Sequence, residues 1–199
     1  IFNFSHRRRI IMAFSISKFR GTALTKSGAR ANLFDVKLTG AAAGAFGVNT
    51  TEFSFACKAA NIPAMAVTAI EVPYFGRVVK VPGNKTFDNW SVTIINDEGF
   101  KIRNGFEEWM AAMGTHISNV VSVGAGFDSS GKGDLFGAAE VKHYGKAGPS
   151  DILATYNFEN IFPVSVGEIA LDWSSNDAIE EFTVEFAYDY WTHAGVALG

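Results

Sequence analysis

The stretch "AIEEFTVEFAYDYW" (178–191) sets apolar and polar residues in strict alternation. Phe182, Val184, Phe186, Tyr188 and Tyr190 share one side, and Glu181, Thr183, Glu185 and Asp189 share the other. A period of two is the period of a strand. A strand with one apolar and one charged side buries a single face, as antiparallel sheets do. The chain must therefore supply a core behind this strand and something wet in front of it.

Shorter runs repeat the rhythm. "ANLFDVKL" (31–38), "TEFSFAC" (51–57), "FDNWSVTIIN" (87–96), "FGAAEVKHYG" (136–145), "DILATYNFENIF" (151–162) and "VGEIALDW" (166–173) all read as strands. "AVTAIEV" (66–72) and "GRVVKV" (76–81) flank "PYF", which marks a turn, so they form a hairpin or one bent strand. Twenty glycines against five prolines suit short strands joined by glycine turns. Within 199 residues these elements fit one domain with a sizeable core.

One segment departs from the alternation. Ile102, Phe106, Trp109, Met110 and Met113 recur at three- and four-residue spacing, which predicts an amphipathic helix over about 98–113, stopped by Gly114. Asn96 or Asp97 is placed to cap it, with Glu98 beside them at the positive end. Arg103 and Glu107 are spaced to pair on its wet face. The acids Asp97, Glu98, Glu107 and Glu108 invite a catalytic or metal reading. Ten helical residues separate the two pairs by roughly 15 Å, too far for one centre.

No other constellation carries chemistry. His6, His116, His143 and His193 have no ligand spacing, and "GAAAGAFG" (40–47) lacks the Lys-Ser/Thr of a phosphate loop. "GKGD" (131–134) is equally unspecific, and neither a GxSxG elbow nor a triad order is present. The expectation is no catalytic residue, no cofactor and no metal. The lone Cys57 rules out an intrachain disulfide framework and is expected as a small buried hydrophobe on one face with Phe53 and Phe55. A formal charge of −3 gives no basic face for nucleic acid. No apolar run reaches the roughly 18–20 residues that cross a membrane.

Two regions stand apart. Residues 1–11 carry three arginines and precede Met12, which can serve as an initiator, so they are set off as an extension from a single domain over 12–199. The short apolar patch after the arginines argues against a signal peptide. Long glycine-containing connections span about 39–50 and 114–135, a length usually tied to function. Two readings stand for the first: Gly40, Ala45, Phe46, Gly47 and Val48 form a contact between stacked rings, with Phe46 and Val48 as anchors, or the loop folds back on its own domain.

"CKAANIPAMAVTAIEVPYFGRVVKVPGNKTFDNWSVTIINDEGFKIRNGFEEWMAAM" (57–113) closely resembles the tail tube proteins of T4-like contractile-tailed bacteriophages. "RANLFDV" (30–36) and the closing "NFENIFPVSVGEIALDWSSNDAIEEFTVEFAYDYW" (157–191) match in the same order. The resemblance covers most of the chain from about Met12 to Trp191, and leaves out 1–11 and the connection near 114–135. It implies a mainly β fold, an antiparallel β-sandwich or barrel with one flanking helix. It implies a structural role without catalysis: hexameric rings stack into a hollow conduit in the virion, assembled in the host cytoplasm, through which DNA passes when a sheath contracts. The implied partners are the chain itself, the tail sheath, the baseplate hub, the tail terminator and a tape measure protein in the lumen. A tube subunit of a bacterial secretion or phage-derived injection system that delivers protein effectors is the alternative. On this reading Glu181, Glu185 and Asp189 face the lumen, where like charge keeps the DNA backbone from sticking. An ordinary solvated strand face is the other account of the same residues.

Overall fold

The computed structural model describes residues 15–22, 24, 28–40, 44, 46–114 and 135–194. The elements among them run α1 (Ile16–Thr22), β1 (Phe34–Thr39), α2 (Thr50–Ala56), β2 (Cys57–Ala60), β3 (Met65–Tyr74), β4 (Arg77–Phe87), β5 (Trp90–Ile95), α3 (Lys101–Met113), β6 (Gly137–Tyr144), β7 (Ile152–Val166), β8 (Glu181–Ala187) and β9 (Tyr190–His193). Every pairing among them is antiparallel. Seven strands join in the order β1-β6-β7-β8-β5-β2, with β9 also on β7, while β3 and β4 form a separate hairpin. The fold is mainly antiparallel β with a flanking helix, as the sequence pattern requires.

The long strand β7 belongs to both halves of the sheet. Its first part pairs with β6 and β9, and its last residues, Phe162 to Val166, pair with β8. Between these parts Asn160 takes a left-handed backbone (φ 55°) and is skipped in the pairing with β6, a bulge that bends the strand. The chain crosses between halves a second time at Tyr188–Asp189, between β8 and β9. The two crossings face each other, because Glu159 pairs with Tyr190 on one side and Phe162 with Ala187 on the other.

The core lies inside this bend. Trp90, Val92 and Ile94 of β5 stand opposite Phe186, Val184 and Phe182 of β8, and all six are at most 2% exposed. Trp90 stacks on Phe158 from the other half, ring centres 4.8 Å apart. Val36, Leu38, Ala139 and Val141 extend the core under β1 and β6. Burial of each large side chain contributes ~1.5–3 kcal/mol. The helix α3 adds Ile102, Phe106 and Trp109 to the same cluster, and the Trp109 Nε1–H donates to the Leu135 carbonyl at 2.8 Å. Gly105 lets it approach closely: a Cβ there would lie 2.8 Å from both the Phe46 carbonyl oxygen and Val48 Cγ2.

Three segments differ from the sequence reading. Residues 51–57, expected as a strand with Phe53, Phe55 and Cys57 on one face, are mostly the helix α2. Asn49 caps it, its Oδ1 accepting from the Thr51 amide at 2.9 Å, and the helical turn buries Phe53 while leaving Phe55 85% exposed. Residues 166–173, expected as a strand, leave β7 at Val166 and form an exposed connection to Glu180. The 178–191 run is two strands in different halves of the sheet, so Tyr190 is exposed and does not continue the core face.

Candidate functional site

Three surfaces stand out among the described residues once the core is accounted for. The first is the outer face of β5 and β8. Ser91 stands opposite Glu185, Thr93 opposite Thr183 and Ile95 opposite Glu181, while Ser165 of β7 is the other neighbour of Glu185. The residues between them in sequence are the buried core pairs, so strand alternation turns this set outwards. Lys58 of β2 reaches Glu181 and neutralises it. Glu185 is exposed and has no ion-pair partner among the described residues. The face is thus small, hydroxyl-rich and mildly acidic, with its one cation already paired.

The second surface is the β3–β4 hairpin, an arm that leaves the sheet at Met65 and Phe87. It is exposed along its length, with only Gly83 and Phe87 partly covered. Val78 and Val79 are neighbours and so point to opposite sides, yet they are 55% and 50% exposed. Ile70, Val72, Val81 and Tyr74 are likewise open. Its turn is Phe75–Gly76, both with positive φ (41° and 77°), as tight two-residue hairpin turns require. Phe75 stands 91% exposed at the tip, packed edge-on against Tyr74. A two-stranded hairpin is marginal in water by itself, and apolar residues shown on both sides mark this one as a candidate interaction surface.

The third surface is the connection from Gly167 to Glu180. It shows Leu171, Trp173 and Ile179 at 81%, 101% and 71% exposure, interspersed with Glu168, Asp172, Asp177 and Glu180. Both of its ends are fastened. Arg103 of α3 donates from Nη1 to the Gly167 carbonyl at 3.0 Å and lies over the Phe182 ring, and the Glu180 carbonyl accepts from the Asn96 amide at 2.9 Å. The Ser174 amide and hydroxyl hydrogen-bond Asp172 and hold its carboxyl below the usual carboxylate range, so it stays ionised.

The residues singled out in the sequence fall as follows. Glu181 and Glu185 lie on the outer face of β8. Asp189 does not, because it sits in the crossing beyond β8 and accepts from the Asn160 side-chain amide. Gly40 follows β1 and lies against the Gly137 backbone, and Gly47 is exposed. Val48, expected as an anchor between rings, is 1% exposed inside the chain's own core, and Phe46 stacks on Trp109. The glycine at position 105 opens the space that draws this loop inwards. Ala45 and residues 1–11 lie outside the described residues, as does most of the 114–135 connection.

At the helix, Asp97 accepts from the Lys101 and Gly99 amides, both at 3.2 Å. Asn96 does not cap; it is buried and donates from Nδ2 to the Glu180 carboxylate at 3.1 Å. The helix begins at Lys101 and not near 98, because Phe100 adopts a left-handed conformation (φ 51°) just before it. The Arg103–Glu107 pair forms at 2.9 Å, but the arginine is largely covered by its contacts with Gly167 and Phe182. Burial, and secondarily the Asp35 charge, pushes the Cys57 thiol up to about 12, which makes it a poor nucleophile. No helix among the described residues is long and apolar enough to cross a membrane.

Sequence reasoning missed the arm and the 167–180 connection as surfaces. Their apolar residues carry the same signal as core residues, and only the fold separates them.

Known proteins share this arrangement. The family described as phage tail tube protein matches residues 29–194. Tail tube protein gp19 of Enterobacteria phage T4 is 33% identical over 165 residues, which cover 82% of this chain and 90% of that protein. Its counterpart in Enterobacteria phage T6 matches at 33% over the same share of both chains. Among solved structures, a chain of the PVC sheath–tube complex of an extracellular contractile injection system superposes with a TM-score of 0.60 at 16% identity, covering 92% of this chain and 99% of that one. A chain of the anti-feeding prophage tube-terminating cap gives 0.59 at 18%, covering 85% and 92%. At those identities the likeness speaks for the fold.

Proposed function

The chain belongs to the phage tail tube protein family, and from that premise we propose that six copies close into a ring and rings stack into a hollow tube whose lumen is lined by the outer face of β5 and β8. The observation that carries this reading is that face itself. Its neutral hydroxyls, its internally neutralised Lys58–Glu181 pair and its free Glu185 offer a passing polyanion no unpaired cation. Nucleic-acid sites hold phosphate with unpaired Lys and Arg, and binding strengthens with each contact. A lumen meant for transit needs the opposite, a surface that repels weakly everywhere.

Ring closure also resolves the sheet edges. The seven-stranded sheet ends on β1, β2 and β9, and copies arranged about an axis can cover such edges with one another. The tail sheath would enclose the tube, the baseplate hub and terminator would meet its ends, and the tape measure protein would occupy the lumen before DNA. The chain performs no catalysis on this reading and takes no cofactor. The phage relatives favour genome DNA over a protein effector as the cargo.

Negative-stain electron microscopy of purified protein tests the proposal directly. Hexameric rings or long hollow tubes are expected, and a strict monomer at high concentration would sink it.

A further inference from the structure

The arm and the 167–180 connection leave the sheet at opposite ends of β5. The hairpin begins beside Trp90, where Phe87 precedes β5 in sequence, whereas Glu180 is tied to Asn96 just past Ile95. A six-residue strand, about 20 Å long, separates the two ends. The two surfaces are opposite in charge as well as in position. The arm carries Arg77, Lys80 and Lys85 against the single acid Glu71, which pairs with Lys80. The connection carries four acids and no Lys or Arg. Arg77 and Lys85 on the arm, and Glu168 and Asp177 on the connection, are exposed and have no ion-pair partner among the described residues. Each surface also presents uncovered apolar side chains, Phe75 on one and Trp173 on the other among them.

We infer that the basic, apolar arm of one copy docks on the acidic, apolar 167–180 connection of a second copy in the next ring. This rests on the reading of the chain as a tube subunit and names the contact that stacks its rings. A head-to-tail contact between two different surfaces builds a ring when its rotation closes and an open stack when it does not, and surfaces at opposite ends of one strand fit the open case. Lateral ring closure would use the sheet edges and axial growth the two poles, so each ring passes its exposed arm to the next. The docked Trp173 and Phe75 lose their water, and the charges set partner and polarity more than they add affinity.

A charge exchange tests this. The arm variant Arg77→Glu/Lys85→Glu and the connection variant Glu168→Lys/Asp177→Lys change only exposed, unpaired side chains, so each should melt as the unaltered subunit does. Each alone should reduce the sedimentable tube fraction roughly tenfold or more, because like charges then meet around the whole ring. The chain that carries all four substitutions should recover tubes to within about twofold of the unaltered protein. Either pair alone leaving tube yield unchanged would overturn the contact, and so would a fourfold variant that stays unassembled although its melting is normal. The unaltered protein is the control for the underlying reading: if it forms no rings or tubes, the tube assignment fails, whereas normal tubes with no charge coupling remove only the pole-to-pole contact.

Discussion

The side-chain amide of Asn160 donates a 2.6 Å hydrogen bond to the carboxylate of Asp189 and so joins the two places where the chain passes between halves of the sheet. The Asp189 amide donates to the Glu159 carbonyl at 3.2 Å, which pins the same corner from the backbone. Removing the carboxylate in Asp189→Ala should cost about 1–2 kcal/mol. Asn160→Ala loses the same bond and also places a side chain with no local hydrogen bond at φ 55°, while Asn160→Gly relaxes that backbone. Thermal unfolding should therefore rank the glycine variant above the alanine variant, the reverse of the usual order in a strand.

Gly105→Ala sets two effects against each other. Alanine favours a helix interior over glycine by about 0.8–1.0 kcal/mol. The new methyl would meet the Phe46 carbonyl and Val48 Cγ2 at 2.8 Å, and overpacking of that kind costs about 1–3 kcal/mol. The carbonyl is backbone and yields little, so the clash should win and the midpoint of denaturant unfolding should fall. A stabilised variant would show that the 46–48 loop is not held where the structure puts it.

Alkaline pH should weaken the fold, chiefly through two protons. Burial first, and the nearby Asp35 charge second, raises Cys57 from its ordinary 9.0 to about 12; burial first, and Asp88 second, raises Tyr188 from 10.0 to about 12. Above pH 9 and 10 respectively the unfolded chain loses these protons while the folded chain keeps them. The stabilisation is full below pH 9 and falls as pH rises towards 12. Urea midpoints taken from pH 8 to 11 should decline, and Cys57→Ser with Tyr188→Phe should flatten the decline. An equally steep slope in that double variant would count against the assignment.

The lumen assignment separates the three acidic positions. Glu185→Lys puts an unpaired cation on the outer face of β8 without touching a hydrogen bond of the core, so tubes should assemble and DNA release should slow. Asp189→Lys should destabilise the subunit, because that carboxylate holds the corner. A Glu185→Lys phage that ejects at the normal rate would place the face somewhere other than the channel.

How far these elements could be read from sequence depended on whether the apolar spacing had a single explanation. At β5 and β8 it did: Trp90, Val92 and Ile94 alternate cleanly and pair in register with Phe186, Val184 and Phe182. At α3 the three- and four-residue spacing fits no strand. At 51–57 two periods competed, since Phe53, Phe55 and Cys57 suit a strand, yet Asn49 is a capping residue and gives the helix its start. The crossing at Asn160 was hidden because one left-handed residue shifts the buried positions by a single step, from Phe158 to Ile161, inside a run that still reads as a strand, and the crossing at Asp189 because the apolar alternation runs on through it. At Phe46 and Val48, burial depended on a missing Cβ far away in sequence, at Gly105. On the candidate site, the acids of β8 were visible as a wet face, but Asp189 looked like their continuation until the chain was seen to leave the strand.

The hairpin arm has a consequence for how this chain tolerates mutation. Val78, Val79 and Ile70 are half open to solvent, so replacing any of them with a polar residue should leave the melting temperature of the lone subunit almost untouched. In the particle the same positions would act as interior. A survey scored on subunit stability would list them as freely variable, and a survey scored on infectious phage would list them among the least forgiving sites in the chain. For this protein, selection is read on the assembled tail, and the fold of one copy reports only part of it.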